Sequence, residues 1–531
     1  MAADVHAFAW EKEHEMSVAG DLSGQAWRPD LLELASLAGD RWRLLERRRE
    51  AKWAECSKWH VARLRRRAFL VAKSLPVLPG QTVLELGAGS GAWTEHLALA
   101  LAGQNPLTAV VFNENLARIA GAKNLPEVKF VHVDDVQWAF PAESFDCVVG
   151  SGILTDGLLP AAFELVYRWL KPGGQFLFFV RNPANPIATC QKMLNGFRRR
   201  SPGAGPGPYV NLKRLSKAAL QRGFQGIEAI PSEVIPPLRS SSGQAVGLIL
   251  EGSAATRWLS SVVACRGAKP GGVLSDEAPQ VSLAVHRQLF GKVSVVIPCH
   301  NEEANINRLV KSLLGMYGDY LREIVIVDDN STDRTAEVAA ALSATEPRVK
   351  LVRRNPPGGV GRALRDGYAA ASGKYILTID CDFITIAAEF KGLFDAVAEG
   401  YDGAIGSRFS SESALIRYPL SKILCNRGYH LLLNLLLGKH VRDISNNLKL
   451  YRADILKNLD IEEDRFAANV ETGLKPILLN YRIREVPTSW INRTPDMGKS
   501  SFNLLKVGPD YLGVLFRTAW RYWRGQYRIS R

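Results

Sequence analysis

Several apolar runs in the second half of the chain are typical of buried strands, and acidic residues follow three of them. The acidic residues are Glu302, Asp328, Asp329, Asp380 and Asp382. In open α/β sheets, ligands bind at the carboxyl ends of the strands. Carboxylates gathered at one sheet edge are costly unless they bind a ligand or a cation, so the pattern predicts a binding site at this edge.

Asp380 and Asp382 flank Cys381 in the run ILTIDCDF (376–383). A turn at the end of this strand can present both carboxylates to one cation, and hard oxygen ligands suit Mg²⁺ or Mn²⁺. Such an ion bridges substrate phosphates and neutralises the charge on a departing diphosphate. An isolated Asp-x-Asp is more often a solvated turn, but the neighbouring acidic strand ends favour a metal site here.

A glycine-rich segment in the first half of the chain, VLELGAGSGAWTEHL (83–97), places Gly87, Gly89 and Gly91 between a predicted strand and a predicted helix. In this context an adenosine-bearing ligand can approach the backbone closely. A dinucleotide dehydrogenase uses a similar loop, but the turn KPGG (171–174) argues against that class.

The order of the apolar runs predicts two domains, one that carries the acidic strand ends and one that carries the glycine-rich segment. At 531 residues the chain is too long for one hydrophobic core. Strand-like runs alternate with helical stretches in each half, which predicts two α/β domains with doubly wound sheets. We expect a helical extension, a first domain, a linker, a second domain and a basic aromatic tail at 1–64, 65–265, 266–291, 292–505 and 506–531.

The formal net charge of +14 suggests an anionic partner, which is a nucleic acid, a lipid surface or a phosphorylated substrate. Much of the excess lies in residues 41–67 and 517–531. We expect the first segment to form a solvated helical face. In the second, arginines alternate with four aromatic residues, a composition typical of segments on anionic lipid headgroups, with ordinary surface packing as the alternative.

The sequence also indicates a location. The seven cysteines are scattered and form no paired metal or redox motif, which favours a reducing compartment. The first residues are partly acidic and lack the layout of a secretory signal. No apolar run approaches the length of about 20 residues that a membrane-spanning helix needs. We expect a cytoplasmic protein that is peripheral at the cytosolic face of a membrane.

The ordered motifs of the second half resemble those of glycosyltransferase family 2. They are P-x-x-N-E at 298–302, V-D-D-x-S-x-D-x-T at 327–335, A-L-R-x-G at 363–367 and D-x-D at 380–382. The likeness is greatest to the dolichyl-phosphate mannosyltransferase-like branch and spans residues 292–505. It implies a GT-A fold and an inverting transfer from a nucleotide sugar.

This resemblance also implies roles for individual residues. The residues implied to bind the nucleotide sugar are Pro298, Glu302, Asp328, Asp329 and Asp380. Asp380 and Asp382 would hold the metal ion. Three arginines would meet phosphate oxygens of donor or acceptor, because planar guanidinium groups bind them in a bidentate way. They are Arg408, Arg417 and Arg493.

Two acceptors stay open at this point. A polyprenyl phosphate is an anion that can attack unaided, whereas a glycan hydroxyl needs a carboxylate to take its proton. Glu471 is the first candidate for that base and Asp443 the second, with a structural hydrogen bond as the alternative role of Glu471. The chain has Asn-Asn-Leu-Lys at 446–449 where many relatives have Ser-Gly-Phe-Arg, and a longer gap between Arg493 and Gly498.

The first half resembles class I S-adenosylmethionine-dependent methyltransferases over residues 65–250. Their motif E/D-x-G-x-G-x-G is matched by Glu85, Gly87, Gly89 and Gly91. The resemblance implies a Rossmann-like fold in which these residues bind S-adenosylmethionine. It also implies that two acidic residues after the third strand contact adenine, namely Asp134 and Asp135.

One position departs from the methyltransferase pattern. In that family the second strand ends in an acidic residue for the ribose hydroxyls, and this chain has Val111 there. Glu114, in the next turn, is a candidate substitute. Without such a carboxylate the domain would bind the cofactor weakly or serve as a docking module.

Together these observations favour a bifunctional enzyme. It would transfer a sugar from a nucleotide sugar to a polyprenyl phosphate or glycan, and methylate a related product. A glycosyltransferase with a non-catalytic methyltransferase-like domain is the first alternative, and a membrane-associated scaffold the second. A nucleic-acid methyltransferase would leave the second half unexplained, so we expect no nucleic-acid partner.

Overall fold

The computed structural model describes residues 42–46, 58–75, 77, 80–101, 105–133, 140–182, 184–186, 210–233, 259–271, 282–410, 413–416, 418–491 and 504–527. Four residues with predicted roles lie outside this part of the chain, namely Asp134, Asp135, Arg417 and Arg493. The described residues form two compact units. The N-terminal unit contains those within 1–71, 81–232 and 258–273, and the C-terminal unit those within 72–80, 233–257 and 274–531.

The N-terminal unit is built on a seven-stranded sheet of order β3-β2-β1-β4-β5-β7-β6. The strands are β1 (Val83–Leu86), β2 (Leu107–Val111), β3 (Val128–His132), β4 (Phe145–Ser151), β5 (Leu170–Arg181), β6 (Gln225–Ser232) and β7 (Val262–Ala268). Among the strands that the structure describes in this sheet, β7 runs in the opposite direction to the other six. The helices are α1 (Lys58–Ser74), α2 (Ala92–Ala100), α3 (Glu114–Gly121), α4 (Leu159–Trp169) and α5 (Leu212–Arg222).

The core of this unit begins before residue 65, where the sequence analysis places the start of the domain. Residues 42–46 are helical, and Trp42 and Leu45 are buried in the cluster that contains Leu84 and Phe112. The Trp42 and Phe112 rings lie 5.3 Å apart. Residues 42–46 are therefore part of the packed unit and not a solvated extension.

The C-terminal unit contains a second seven-stranded sheet, of order β10-β9-β8-β11-β14-β12-β15, and a short pair of strands, β13 and β16. The strands are β8 (Val293–Cys299), β9 (Leu321–Asp328), β10 (Val349–Arg353), β11 (Tyr375–Thr378), β12 (Gly403–Ser407), β13 (Leu415–Ile416), β14 (Lys449–Arg452), β15 (Ile483–Pro487) and β16 (Trp490–Ile491). Strand β14 is antiparallel to both of its neighbours, β11 and β12. The two mixed α/β sheets confirm the predicted fold class.

The helices of this unit cover its sheet and form one wall of a cleft. They are α6 (Ile306–Tyr317), α7 (Thr335–Thr345), α8 (Val360–Ala370), α9 (Lys391–Ala398), α10 (Leu420–Leu437), α11 (Ala453–Lys457), α12 (Ala468–Leu478) and α13 (Leu504–Trp523). One face of α13 is buried through Val514, Leu515 and Ala519, so the predicted tail is part of the packed unit. Among the described helices, none combines the length and the apolar character needed to cross a membrane.

Candidate functional site

The carboxylates of Asp380 and Asp382 lie just after β11. This strand pairs in parallel with β8, so the turn that follows β11 is beside the loop that follows β8. Both carboxylates line a cleft of about 670 Å³. The structure therefore brings the predicted carboxylate pair to a cavity large enough for a small-molecule substrate.

An amide holds Asp380 in place. Asn447 Nδ2 donates to Asp380 Oδ1 at 2.7 Å. Burial, and then the neighbouring Asp382 carboxylate, raise the pKa of Asp380 to about 7. A carboxyl group whose ionisation is opposed by burial and by like charge is one whose charged form a bound cation stabilises.

The carboxylate pair fits a divalent cation that the substrate completes. Within the described residues, no group of three or more His, Cys, Asp or Glu side chains is placed to hold a metal ion. Mg²⁺ and Mn²⁺ sites often use one or two carboxylates together with waters and substrate phosphate oxygens. Asp380 and Asp382 provide that kind of open donor set.

Three of the residues predicted to bind the nucleotide sugar surround the same cleft. Pro298 and Glu302 belong to the β8 end and its loop, Asp329 follows β9, and all three line the cavity. Asp328 is buried beneath them, and Ser331 N–H donates to its Oδ1 at 3.2 Å. Asp328 therefore supports the turn after β9, while Asp329 lies at the cleft.

Hydrogen bonds join the loops after β8 and β9 into one wall. Thr332 N–H donates to Asn301 Oδ1 at 2.8 Å, and Asn301 N–H donates to Ser331 Oγ at 3.0 Å. Glu302 N–H donates to Thr335 Oγ1 at 2.7 Å. Asn301 has a φ of 59°, a left-handed conformation that asparagine tolerates better than most residues. The polar residues of both motifs thus hold the loops in a fixed shape.

The glycine-rich segment at the start of α8 positions Asp329. Gly359 N–H donates to Asp329 Oδ2 at 2.6 Å, and Arg354 donates to Asp329 Oδ1. The helix packs closely against its surroundings, because a Cβ on Gly361 would lie 1.9 Å from Glu463 O. These glycines therefore serve internal hydrogen bonding and close packing.

Arg408, directly after β12, lines the cleft and forms a buried ion pair with Asp443. Its Nε and Nη2 donate to the two Asp443 oxygens at 2.7 and 2.9 Å. The two side chains are 9% and 0% exposed. Burial alone would raise the pKa of Asp443, but the Arg408 guanidinium outweighs it and holds that pKa well below its usual range. This geometry makes Asp443 a counter-ion and not a base.

Glu471, the first candidate for a base, is buried in α12. Its Oε2 accepts a hydrogen bond from Glu463 N–H at 2.8 Å, and its Oε1 lies 2.8 Å from Lys475 Nζ. It is not among the residues that line the cleft. The contacts correspond to the structural alternative for Glu471, so its role as a base finds no support in the geometry.

Lys449, which stands where many relatives have an arginine, is fully buried below the cleft. Its Nζ donates to Asn469 O at 2.8 Å and to Thr472 Oγ1 at 3.0 Å. Burial lowers the pKa of Lys449 to about 7. Lys449 joins β14 to α12 and is not among the residues that line the cavity.

Helices α10 and α13 contribute apolar and aromatic side chains to the lining of the cleft. Tyr429 OH donates to Tyr511 O at 3.3 Å, and the two rings lie 5.8 Å apart. The apolar or aromatic residues of the two helices that line the cleft are Tyr429, Leu432, Val507, Pro509, Tyr511 and Leu512. The cavity therefore combines a carboxylate pair with a hydrocarbon-like surface.

Three asparagines add hydrogen-bonding capacity to the cleft. Asn426, Asn447 and Asn469 all line it. Within the described part of the chain, the buried Oδ1 of each has no hydrogen-bond partner. Buried acceptors of this kind are usually satisfied by a ligand or by ordered water, and sugar hydroxyls are suitable donors.

The glycine loop of the N-terminal unit has the predicted context, between β1 and α2. Gly87, Gly89 and Gly91 have φ values of 72°, 61° and 73°, in the left-handed region that favours glycine. A Cβ on Gly91 would lie 3.0 Å from Phe130 Cζ. Glu85 is buried in β1, just before the loop. The structure thus brings all four motif residues to the carboxyl end of the central strand.

The end of β2 differs from the expectation for Glu114. Val111, the last residue of β2, is buried in a small apolar cluster with α3 residues. Glu114 begins α3, is 78% exposed and lies 3.6 Å from Arg118. An exposed carboxylate paired with a helix neighbour does not supply the buried group that the family pattern places at this strand end.

Comparisons with known proteins match both domains. Residues 294–460 match the model of the family described as glycosyl transferase family 2. Residues 83–174 match the model described as methyltransferase domain. The chain therefore contains a domain of glycosyl transferase family 2 and a methyltransferase domain. The two families anticipated from the motifs are thereby confirmed.

The relatives cover the glycosyltransferase domain. The dolichol-phosphate mannosyltransferase of Pyrococcus furiosus is 31% identical over 35% of this chain and 53% of its own length. The polyprenol monophosphomannose synthase of Mycolicibacterium smegmatis is 26% identical over 39% of this chain and 80% of its own length. The chain thus spans about half the length of the first of these relatives.

A solved structure also resembles this domain. It is the glucosyl-3-phosphoglycerate synthase of Mycobacterium tuberculosis in complex with Mn²⁺, uridine-diphosphate-glucose and phosphoglyceric acid. The sequence identity is 20%, the match covers 43% of this chain and 79% of that one, and the TM-score is 0.35.

The methyltransferase domain contains a carboxylate at its glycine loop that the sequence analysis did not single out. Glu46 is fully buried, and its two oxygens accept hydrogen bonds from Gly89 N–H and Phe112 N–H, each at 3.0 Å. Its sequence signal is weak. Trp42 and Leu45 have the three-residue spacing of a buried helix face, but they lie within a long basic segment.

Sequence reasoning also missed residues of the glycosyltransferase cleft. His300, Lys422 and Trp490 line it. His300 occupies a variable position of the P-x-x-N-E motif, and the other two lie outside the motifs that indicated the site. Lys422 lies in the first turn of α10, and burial lowers its pKa. No pattern in the sequence distinguishes these residues from ordinary surface or core positions.

Proposed function

We propose that the glycosyltransferase domain transfers a sugar from a nucleotide sugar to a polyprenyl phosphate at a membrane surface, with Mg²⁺ or Mn²⁺ held by Asp380 and Asp382. The observation that carries this proposal is the lining of the cleft. It contains the carboxylate pair together with apolar and aromatic side chains of α10 and α13. A phosphorylated lipid has the same two parts, an anionic head and an apolar chain.

The cation, when bound, would neutralise charge on the departing diphosphate. The side chains of this domain would position the reacting groups. Asp329 and Glu302 lie where the nucleoside would be held, and Arg408 lies beside the cavity with a guanidinium suited to phosphate oxygens. The unpaired amide oxygens of Asn426, Asn447 and Asn469 would accept hydrogen bonds from sugar hydroxyls.

The lack of a suitable base favours a lipid phosphate over a glycan hydroxyl. A hydroxyl acceptor requires a group that takes its proton, whereas a phosphate oxygen is already anionic. Glu471 is bound to Lys475, and Asp443 is bound to Arg408. Among the described carboxylates that line the cleft, Glu302 and Asp329 belong to the donor side, and Asp380 and Asp382 form the proposed metal site.

An exposed apolar face next to the cleft supports the membrane part of the proposal. On α10 and α13, large apolar side chains point to solvent at helical spacing. They are Leu424, Leu431, Leu435, Leu512, Phe516, Trp520 and Trp523. We call this set the apolar face. Leu512 also lines the cleft, so a lipid chain could pass from the face into the cavity without crossing solvent.

The arginines of α13 have a different role from the one expected of a basic tail. Arg517 and Arg521 form ion pairs with Glu463 and Glu462, respectively. Arg524 stacks on the Trp520 ring at 3.7 Å. The first two anchor α13 to the domain, so we propose that the apolar face, edged by Arg524, makes the main contact with lipid.

For the methyltransferase domain, we propose binding of S-adenosylmethionine at the loop of Gly87, Gly89 and Gly91 and methylation of a product of the same pathway. The loop geometry and the buried Glu85 support this proposal. S-adenosylmethionine, when bound, would supply the methyl group for transfer. A domain without catalytic activity is the alternative, and titration of the full chain with S-adenosylmethionine distinguishes cofactor binding from its absence.

We expect nucleoside diphosphates with Mn²⁺ to stabilise the protein against heat. At a hundredfold excess over Kd, the matching nucleotide should raise the unfolding midpoint of the glycosyltransferase domain by about 5 °C or more. Differential scanning fluorimetry with a panel of nucleoside diphosphates, with and without Mn²⁺, tests this and identifies the donor base. A panel without any shift would contradict the assignment of the donor site.

The Asp366→Asn variant provides a matched control for Asp329→Asn in this assay. Both carboxylates pair with Arg354, but Asp366 does not line the cleft. We expect Asp329→Asn to lose the nucleotide shift and Asp366→Asn to keep it. An equal loss in both variants would assign the effect to Arg354 and remove Asp329 from the donor site.

We expect the protein to float with vesicles of phosphatidylcholine and phosphatidylserine, and the double variant Phe516→Ser/Trp520→Ser to float about fivefold less, because membrane binding scales with buried apolar area. Both side chains are half exposed, at 53% and 49%, so the domain should stay folded. Leu220→Ser, at a 57% exposed leucine of the other domain, is the control and should float like the wild type. Equal flotation of all three proteins would rule out the apolar face.

A further inference from the structure

The carboxylate of Glu46 lies at the end of β2, where the methyltransferase pattern has an acidic residue and this chain has Val111. Its Oε1 accepts from Gly89, the middle glycine of the loop, and its Oε2 accepts from Phe112, the residue that follows β2. Glu46 thus connects the glycine loop to the strand end. The chain has no acidic residue at position 111, but Glu46, 65 positions earlier, places a carboxylate at this strand end.

Residues 42–46 are packed into the core, which fixes the position of Glu46 in the domain. Trp42 and Leu45 are buried in the main core, together with Leu84 and Phe112. Moving this turn out of the domain would expose both side chains to water, which is unfavourable. The core therefore holds in place the helical turn that carries Glu46. A segment that blocks the site reversibly would instead be expected to make only a few surface contacts.

A buried carboxylate is costly unless its oxygens are hydrogen-bonded, and the two backbone N–H groups supply that compensation. A carboxylate oxygen can accept more than one hydrogen bond, so these contacts do not prevent a ligand hydroxyl from donating to it. The vicinal hydroxyls of a ribose are two donors that match the two oxygens of one carboxylate.

We propose that Glu46 binds the ribose hydroxyls of S-adenosylmethionine and replaces the acidic residue that is absent from the end of β2. This inference rests on the proposed binding of that cofactor to the glycine loop. It also assigns a functional role to the region before residue 65, because the turn around Trp42 would complete the cofactor site.

Calorimetric titration of the full chain with S-adenosylhomocysteine and with its 2′-deoxyribose analogue tests the role of Glu46. A hydrogen bond to a charged group changes affinity by about 10- to 100-fold. We expect the wild type to prefer the ribose compound by such a factor, and Glu46→Gln to bind it more weakly and to lose most of the preference. Glu46→Asp keeps the charge but shortens its reach, and should show an intermediate preference even where Glu46→Gln folds poorly.

Asp146→Asn is the matched control in the same domain. Asp146 lies at the opposite, amino end of β4, and its carboxylate accepts hydrogen bonds from Thr82 N–H and Thr82 Oγ1, both at 2.8 Å. This variant should lower the unfolding midpoint while keeping the ribose preference.

A preference that survives in both Glu46 variants would overturn the proposal, and so would tighter binding by Glu46→Gln, which would show that the Glu46 carboxylate competes with the cofactor. A wild type that binds neither compound at millimolar concentration would overturn both the proposal and cofactor binding itself.

Discussion

The Asp382→Ala variant should lose sugar transfer by about a thousandfold or more in kcat, because a catalytic cation contributes several kcal/mol of charge stabilisation. The fold should survive the change. Asp382 is only partly buried, and its side chain makes no capping hydrogen bond to the short helix that follows, Phe383–Phe390. Removing its charge also relieves the repulsion on Asp380, so the metal-free variant should melt at the wild-type temperature or slightly above it.

Two measurements together distinguish loss of the metal site from general destabilisation of the fold. Turnover and the Mn²⁺-dependent part of the thermal shift should both disappear in Asp382→Ala, while the melting temperature without metal does not fall. Glu303→Gln, an exposed carboxylate in the loop after β8, is the control and should keep both properties. Wild-type turnover in Asp382→Ala, or full Mn²⁺ dependence, would remove Asp382 from the metal site.

The residues on the donor side of this site can be predicted from local patterns in the sequence. Glu302, Asp329 and the Asp380–Asp382 pair each come directly after a buried apolar run, and parallel strands place such ends at one edge. The loop-to-loop hydrogen bonds of Asn301 join residues only 30 to 32 positions apart along the chain, within one strand–helix–strand unit.

The acceptor side depends on contacts between distant segments, and these are not visible in a linear pattern. Asn447 was noted only as a departure from the family, yet it holds Asp380 across 67 positions of sequence. The apolar part of the cleft lining comes from α10 and α13, which pack together although neither helix carries a motif. Glu46 is the strongest case. It is one of three acidic residues in the basic segment 41–67, and only the packing of Trp42 and Leu45 places it at the glycine loop.

The Asp443→Ala variant should destabilise the protein by about 3 to 5 kcal/mol, because it leaves the buried Arg408 guanidinium without its counter-ion. Replacing both partners, as Arg408→Met/Asp443→Leu, should restore most of that stability, since well-packed apolar residues often substitute for a buried ion pair. Urea unfolding monitored by fluorescence measures all three proteins. Glu399→Ala, which breaks the exposed Arg484–Glu399 pair, should cost less than about 1 kcal/mol.

The double replacement also separates the structural role of Arg408 from its proposed role toward phosphate. Arg408 lines the cleft as well as binding Asp443, so a stable Arg408→Met/Asp443→Leu protein still lacks this guanidinium group at the cleft. We therefore expect recovered stability with kcat/KM still reduced by about a hundredfold, the effect of losing a charge-assisted contact to a substrate phosphate. Recovered activity together with recovered stability would make Arg408 a structural residue. The phosphate contacts would then have to come from another cation of the cleft, such as Lys422.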